Sequence, residues 1–113
     1  MRDDRLRLLD ISGAADSLRN FIHGKTREDL SANPLLLSAV LHQLYVIGEA
    51  AAHVSKEIKD RHPGVPWKVI YGFRNYIAHE YFSLDVDIVW QTVAQDVPEL
   101  GSQIDQILRT EFP

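Results

Sequence analysis

The sequence predicts an all-α protein, an up-and-down bundle of four main helices with a kink or new start expected within the last one. Two observations carry this. Apolar residues recur at spacings of three and four through most of the 113 residues, and nowhere do they alternate as in a half-buried strand. Helix breakers at Gly24, Asn33-Pro34, His62-Pro63-Gly64 and Ser83-Leu84-Asp85 divide the chain into helix-length pieces. No internal repeat, low-complexity tract or linker interrupts it, so residues 1–113 read as one domain.

The first helix follows Leu8, Ile11, Ala15, Leu18 and Ile22, with Arg5, Arg7, Asp10 and Asp16 off that stripe and Gly24 closing it. Thr26 and Asp29 form a capping signal for a short turn of helix or an irregular link. Asn33 and Pro34 open the second helix, Asn as N-cap and Pro at the first helical position. This helix is expected to be the longest, running through Leu36, Val40, Leu44, Ile47, Ala51, Val54 and Ile58 to His62-Pro63-Gly64. Leu37, Leu41 and Tyr45 widen its apolar face enough to suggest burial against more than one neighbour, within the chain or in a second subunit. Pro66 opens a third helix with Ile70, Phe73 and Ile77 as its buried stripe, and Trp67 falls about two turns before Arg74 on a shared stripe. Asp85 caps a fourth helix through Ile88, Val89 and Val93, and Asp96-Val97-Pro98-Glu99 predicts a kink or a new start. Val97, Leu100, Ile104 and Ile107 carry the stripe onward.

Composition narrows the function. With 45% hydrophobic and 25% charged residues the chain has an ordinary globular balance. No apolar run approaches the roughly 20 residues of a membrane helix, and Met1-Arg2-Asp3-Asp4-Arg5 leads into an amphipathic pattern rather than a signal peptide. Zero cysteines exclude disulfides, thiolate chemistry and Cys-based zinc sites and suit a reducing cytoplasm. A formal net charge of −4 argues against coating nucleic acid through a large basic surface, though a local basic groove is compatible with it.

The chemistry concentrates in Arg74-Asn75-Tyr76-Ile77-Ala78-His79-Glu80-Tyr81, which holds a permanent cation, an imidazole and a phenol. On a helix Arg74 and Tyr81 share a stripe, and Asn75 and His79 are an i,i+4 pair in which the amide can hold one imidazole tautomer. Arg74 and His79 lie about 140° apart, so they converge on one ligand only if the helix ends near Ala78 or the groove lies between two chains. The bland reading is a polar helix end with a solvated Arg and a capping His. Glu49, inside Val46-Ile47-Gly48-Glu49-Ala50-Ala51-Ala52, either points to solvent or pairs with a cation, for which Arg74 is the candidate. His42, Glu49 and His53 line one helix face, but the two histidines would be about 16 Å apart along the axis and no third ligand accompanies Glu49 and His53, so no metal site is expected. Phosphate-loop, nucleophile-elbow, zinc-protease and two-metal patterns are all missing.

The arrangement Arg-x4-His-x-Tyr with Asn after the Arg resembles the signature of HEPN-domain toxins of the HepT type. The similarity extends to Ile47-Gly48-Glu49-Ala50, Pro66-Trp67, Tyr71-Gly72 and Asp85 to Trp90, and so spans Asp4 to Leu108. It implies a HEPN-like helical domain that forms a homodimer and cleaves RNA without cofactor or metal. Arg74 and His79 would then be catalytic, Asn75 and Glu49 supporting, and Tyr81 the groove residue. RNA supplies its own nucleophile, the 2′-hydroxyl. His79 could move the proton and Arg74 could stabilise the phosphoryl charge. The resemblance also implies a cognate minimal nucleotidyltransferase antitoxin that transfers AMP to Tyr81. The competing expectation is a non-catalytic module that binds a nucleotide or a nucleotidyltransferase through the same residues, and a third is a plain helical dimerisation domain.

Overall fold

The computed structural model describes residues 3–113, so Met1 and Arg2 of the opening charged stretch lie outside the described residues. Four long helices dominate: α1 (Asp4–Ile22), α3 (Pro34–Ala52), α5 (Trp67–His79) and α7 (Val97–Glu111). Three short ones, α2 (Arg27–Ala32), α4 (Lys56–Arg61) and α6 (Val86–Gln91), complete the set, with a 3-10 turn at Tyr81–Ser83 and a π-helical segment at Thr92–Asp96. No strand occurs among the described residues, in keeping with the all-α expectation.

The local signals act as anticipated at most boundaries. Gly24 takes φ 72°, the left-handed conformation that glycine adopts without steric cost. Thr26 and Asp29 close a reciprocal capping box, Asn33 accepts the Leu36 N–H at 3.1 Å, and Asp85 accepts the Asp87 N–H at 2.9 Å. Around Pro98 the helix breaks as a π segment rather than through a cap at Asp96. Proline has no N–H for the carbonyl four residues back, and the Thr92 hydroxyl takes the Ile88 carbonyl at 2.8 Å.

The second helix is shorter than its stripe predicts. It stops at Ala52, equal in length to α1 at 19 residues each, and α4 begins afresh at Lys56. The His53 ring reaches back to the Glu49 carbonyl at 2.8 Å, the acceptor that the His53 backbone N–H would otherwise use. Ser55 then caps α4 and is itself held by Asp4, its N–H donating at 2.8 Å and its hydroxyl at 2.6 Å.

α3 occupies the middle. It packs on α1 along one side and on α5 along the other, while α1 also packs on α7. The breadth of its apolar face is thereby accounted for within the chain. Its length and mean hydropathy of 1.5 reach the range of a membrane-crossing helix, contrary to the expectation of no such run. Leu8, Ile11, Leu18, Val40, Ile104 and Ile107 form the centre of the core, each 2% exposed or less. α5 leans on α3 at the edge of the bundle, so of its expected buried stripe only Ile77 is fully covered. Ile70 and Phe73 are half-buried because they border an open cleft of about 350 Å³ between α3, α5 and α7.

A separate clasp joins the end of α4 to the end of α7. Arg61 grips Glu111 through Nε at 3.0 Å and Nη2 at 2.9 Å, and the His62 ring meets the same carboxylate at 2.8 Å. Hydrogen bonding from Arg61, then from His62, pulls the Glu111 carboxyl down from 4.5 to about 2. A depressed carboxylate contributes stability that is whole above its unfolded value and is lost as pH falls through its folded one. Glu111→Gln is therefore expected to lower Tm by a few degrees at neutral pH, and the gap to the wild type should close between about pH 4.5 and about pH 2. Thermal melts across that range check it, and a gap that persists at pH 2 would mean that Glu111 acts through packing instead.

Candidate functional site

The site grows out of the contact between α3 and α5. At Gly48 the two helices come so close that an added Cβ would sit 2.2 Å from Arg74 Cβ and 2.8 Å from its Cγ. Glycine inside a helix costs about 1 kcal/mol relative to Ala, and here that cost admits the stem of Arg74. The guanidinium consequently lies along α3 and meets Glu49, one residue on, in an ion pair of 2.5 Å. Arg74 Nη2 also donates to the Tyr45 hydroxyl at 3.2 Å and Nη1 to Asn75 Oδ1 at 2.9 Å. Its Nε is buried without a hydrogen-bond partner.

Two rings flank the cation, Tyr45 at 5.1 Å and Tyr71 at 5.7 Å from ring centroid to guanidinium carbon. Partial burial works against the charge. The hydrogen bond and charge of Glu49, helped by the two tyrosines, more than offset it, so the Arg74 pKa rises above its ordinary value. With 23% of its side chain exposed, Arg74 is a charged, oriented and still accessible group.

Glu49 thus pairs with Arg74, the second of its two sequence readings. Asn75 accepts from Arg74, and no hydrogen bond joins it to His79. Trp67 does not reach Arg74 as the shared stripe suggested. Its indole N–H donates to the His62 carbonyl at 3.0 Å and its face carries the Lys59 ammonium at 5.9 Å. His79 ends α5 on the exposed side, away from the Arg74 stripe, and its ring has no hydrogen-bond partner among the described residues. Tyr81 stands in the 3-10 turn just beyond, 47% exposed, edge-on to a fully exposed Phe82. The turn is held by the Asp85 N–H donating to the Tyr76 hydroxyl at 2.9 Å. Arg74, Glu49 and Asn75 are brought together; His79 is not brought to them within one chain.

Gly48, Tyr45 and Tyr71 were missed as site residues. A glycine inside an otherwise strong helical pattern was the available signal for the first, since such a residue commonly marks a close approach. Tyr45 gave none, because an aromatic that widens an apolar stripe reads as core, and Tyr71 stood out only within the Tyr71-Gly72 piece of the family resemblance.

A family model described as Ribonuclease HepT-like matches residues 11–107. The chain belongs to the HepT-like ribonuclease family. Its similarity to other HepT-like proteins runs nearly end to end. It is 36% identical to Putative RNase TTE0752 of Caldanaerobacter subterraneus subsp. tengcongensis over 98% of this chain and 99% of that one. It is 31% identical to Probable ribonuclease HepT of Thermococcus cleftensis, covering 88% of this chain and 91% of the relative. Putative RNase MJ1380 of Methanocaldococcus jannaschii is also 31% identical, over 92% and 95% of the two chains. No solved structure matches the chain. Among the described residues no group of three or more His, Asp or Glu is placed to hold a metal ion.

Gly48→Ala is expected to push α5 off α3, because the atoms in the way belong to the base of the Arg74 side chain rather than to its flexible end. Overpacking of this kind costs about 1–3 kcal/mol, roughly 5–15 °C in Tm for a domain of this size. A melt unchanged from wild type would mean that the helices separate there without cost.

Proposed function

We propose that the chain is a metal-independent endoribonuclease toxin of the cytoplasm, working as a homodimer and neutralised by AMP transfer from a cognate minimal nucleotidyltransferase antitoxin. The observation that carries this reading is the Arg74 clasp. A guanidinium charged at any working pH is fixed by Glu49, Tyr45 and Asn75, with an unpartnered imidazole five residues further on. Family membership supplies the substrate class.

Arg74 holds the scissile phosphate and stabilises the charge that grows on its non-bridging oxygens. The 2′-oxygen attacks phosphorus, the bond to the 5′-oxygen breaks, and a 2′,3′-cyclic phosphate remains. One imidazole removes the 2′ proton and a second protonates the departing 5′-oxygen. Each chain contributes a single His79 on the face away from its own Arg74, so two copies related by a two-fold axis would supply both groups to a shared cleft. Apolar side chains left exposed on α5 suit such a contact, Val69 at 70% and Tyr71 at 43%. In the silenced state the Tyr81 oxygen attacks the α-phosphorus of ATP, pyrophosphate leaves and the phenolic proton is released. The attached phosphate then competes with RNA for the groove by occupancy and by repulsion.

His79→Ala should slow cleavage of RNA about 10²–10⁴-fold with Tm unchanged, since the ring makes no contact that the fold uses. Wild-type cleavage should survive a chelator. Activity that needs added Mg²⁺ would refute the metal-free route, and a monomer in light scattering at micromolar concentration would refute the shared cleft.

Control is tested separately. The wild type incubated with its nucleotidyltransferase and ATP should gain the mass of AMP and lose activity, whereas Tyr81→Phe should gain no adduct. An adduct on another residue, or silencing with no adduct, would remove Tyr81 from this role.

A further inference from the structure

The stripes that clasp Arg74 continue beyond it and then part. α3 and α5 run antiparallel, Tyr45 and Glu49 meeting Arg74 while the earlier part of α3 faces the end of α5. On α3 the stripe reads Ser38, His42, Tyr45, Glu49, at spacings of four, three and four, all on one face. Its counterpart reads Arg74, Ala78 and then Tyr81 in the 3-10 turn.

At the Arg74 end the stripes touch. At the other end they cannot, because Ala78 offers only a methyl group where a longer side chain would close the gap. What remains is a groove of about 410 Å³, within the size of small-molecule sites. Its floor is apolar, formed by buried Leu41 and Ile77, and its head is Tyr45, whose ring and hydroxyl also hold Arg74. Tyr81 forms one wall, and Ser38 and His42 form the other. Both of these are exposed and neither has a hydrogen-bond partner among the described residues.

An apolar floor, an aromatic wall and two unpaired polar groups opposite it, ending at a fixed cation, are what an unpaired nucleotide needs: a surface for the ring, donors and acceptors for its edge, and a charge for its phosphate. We propose that this groove seats one unstacked RNA nucleotide with its phosphate at Arg74, and that His42 and Ser38 contact the edge of its base and set which base is preferred. The inference rests on the ribonuclease reading and goes beyond it by naming the residues that select the cut site. His42 is here a specificity-determining residue, and the proton transfers stay with His79.

The test uses the full chain and short single-stranded RNAs that differ only in the base beside the cut. The wild type should prefer one base. His42→Ala should raise KM for that substrate about tenfold and flatten the preference with kcat little changed, and His42→Asn should recover part of the discrimination. Ala78→Leu should fill the groove. Because residue 78 is exposed, its Tm should hold while binding of the same RNAs, measured by anisotropy on a His79→Ala background, weakens about tenfold or more. Wild-type KM and base preference in His42→Ala, together with undiminished RNA binding in Ala78→Leu, would overturn the inference while leaving the ribonuclease reading intact. A loss of kcat in His42→Ala at unchanged KM and preference would also overturn it, since His42 would then act on the chemistry and not on the base. A wild type that neither binds nor cleaves any RNA would overturn both readings together.

Discussion

The ion pair between Glu49 and Arg74 is the interaction on which the arrangement turns. A partly buried guanidinium must be paired, and removing one member of such a pair leaves a charge with lost hydration and no compensation. Glu49 sits one residue after Gly48, so the position that admits the arginine stem also delivers its counter-ion. The two tyrosines then narrow the directions in which the planar cation can face. Lysine in place of Arg74 would keep the charge and lose the fork, the stacking and the simultaneous contact with Glu49, Tyr45 and Asn75.

α3 has to satisfy two demands at once. It is the middle helix of the bundle, which is why its hydropathy reaches 1.5, and it also carries the polar stripe of Ser38, His42, Tyr45 and Glu49. The two are compatible because 3.6 residues per turn leave room for apolar faces towards α1 and α5 and a mixed stripe at the edge of the second contact. Ending α3 at Ala52 suits the same geometry. The turn through His53 and Val54 lets α4 depart and lets Asp4 tie its cap to the start of α1, so that α5 can return along α3 and present Arg74 beside Glu49.

How far these features could be read from the chain depends on the range of the interaction responsible. Gly24, the Thr26–Asp29 box, Asn33-Pro34, Asp85 and the irregularity before Pro98 were legible because each acts within a few residues of itself. The division between α3 and α4 was not, since the Ser55 cap is completed by Asp4, fifty-one positions away. The pairing of Glu49 with Arg74 was one of two readings that an acid in an apolar surround left open, and the family resemblance favoured it. Its neighbours were not legible, because a helical wheel orders residues by angle and says nothing about which other helix lies opposite. That is how Trp67, on the right stripe, yielded its place beside Arg74 to Tyr45 and Tyr71. The Asn75–His79 spacing likewise allowed a contact that Arg74 takes instead.

The position of α5 at the edge has a dynamic meaning. Its main neighbour is α3, whereas α1 is packed between α3 and α7. Segments with few buried contacts open at a fraction of the free energy of global unfolding. Backbone amides of α5 would then exchange with solvent deuterons well before those of α1 and α3, and such an opening would break the Arg74–Glu49 pair while the three-helix remainder stays folded. Arg74, Asn75 and His79 therefore ride on a helix held mainly by one neighbour, and a partner that binds across α5 and α3 would stiffen their arrangement as it docks.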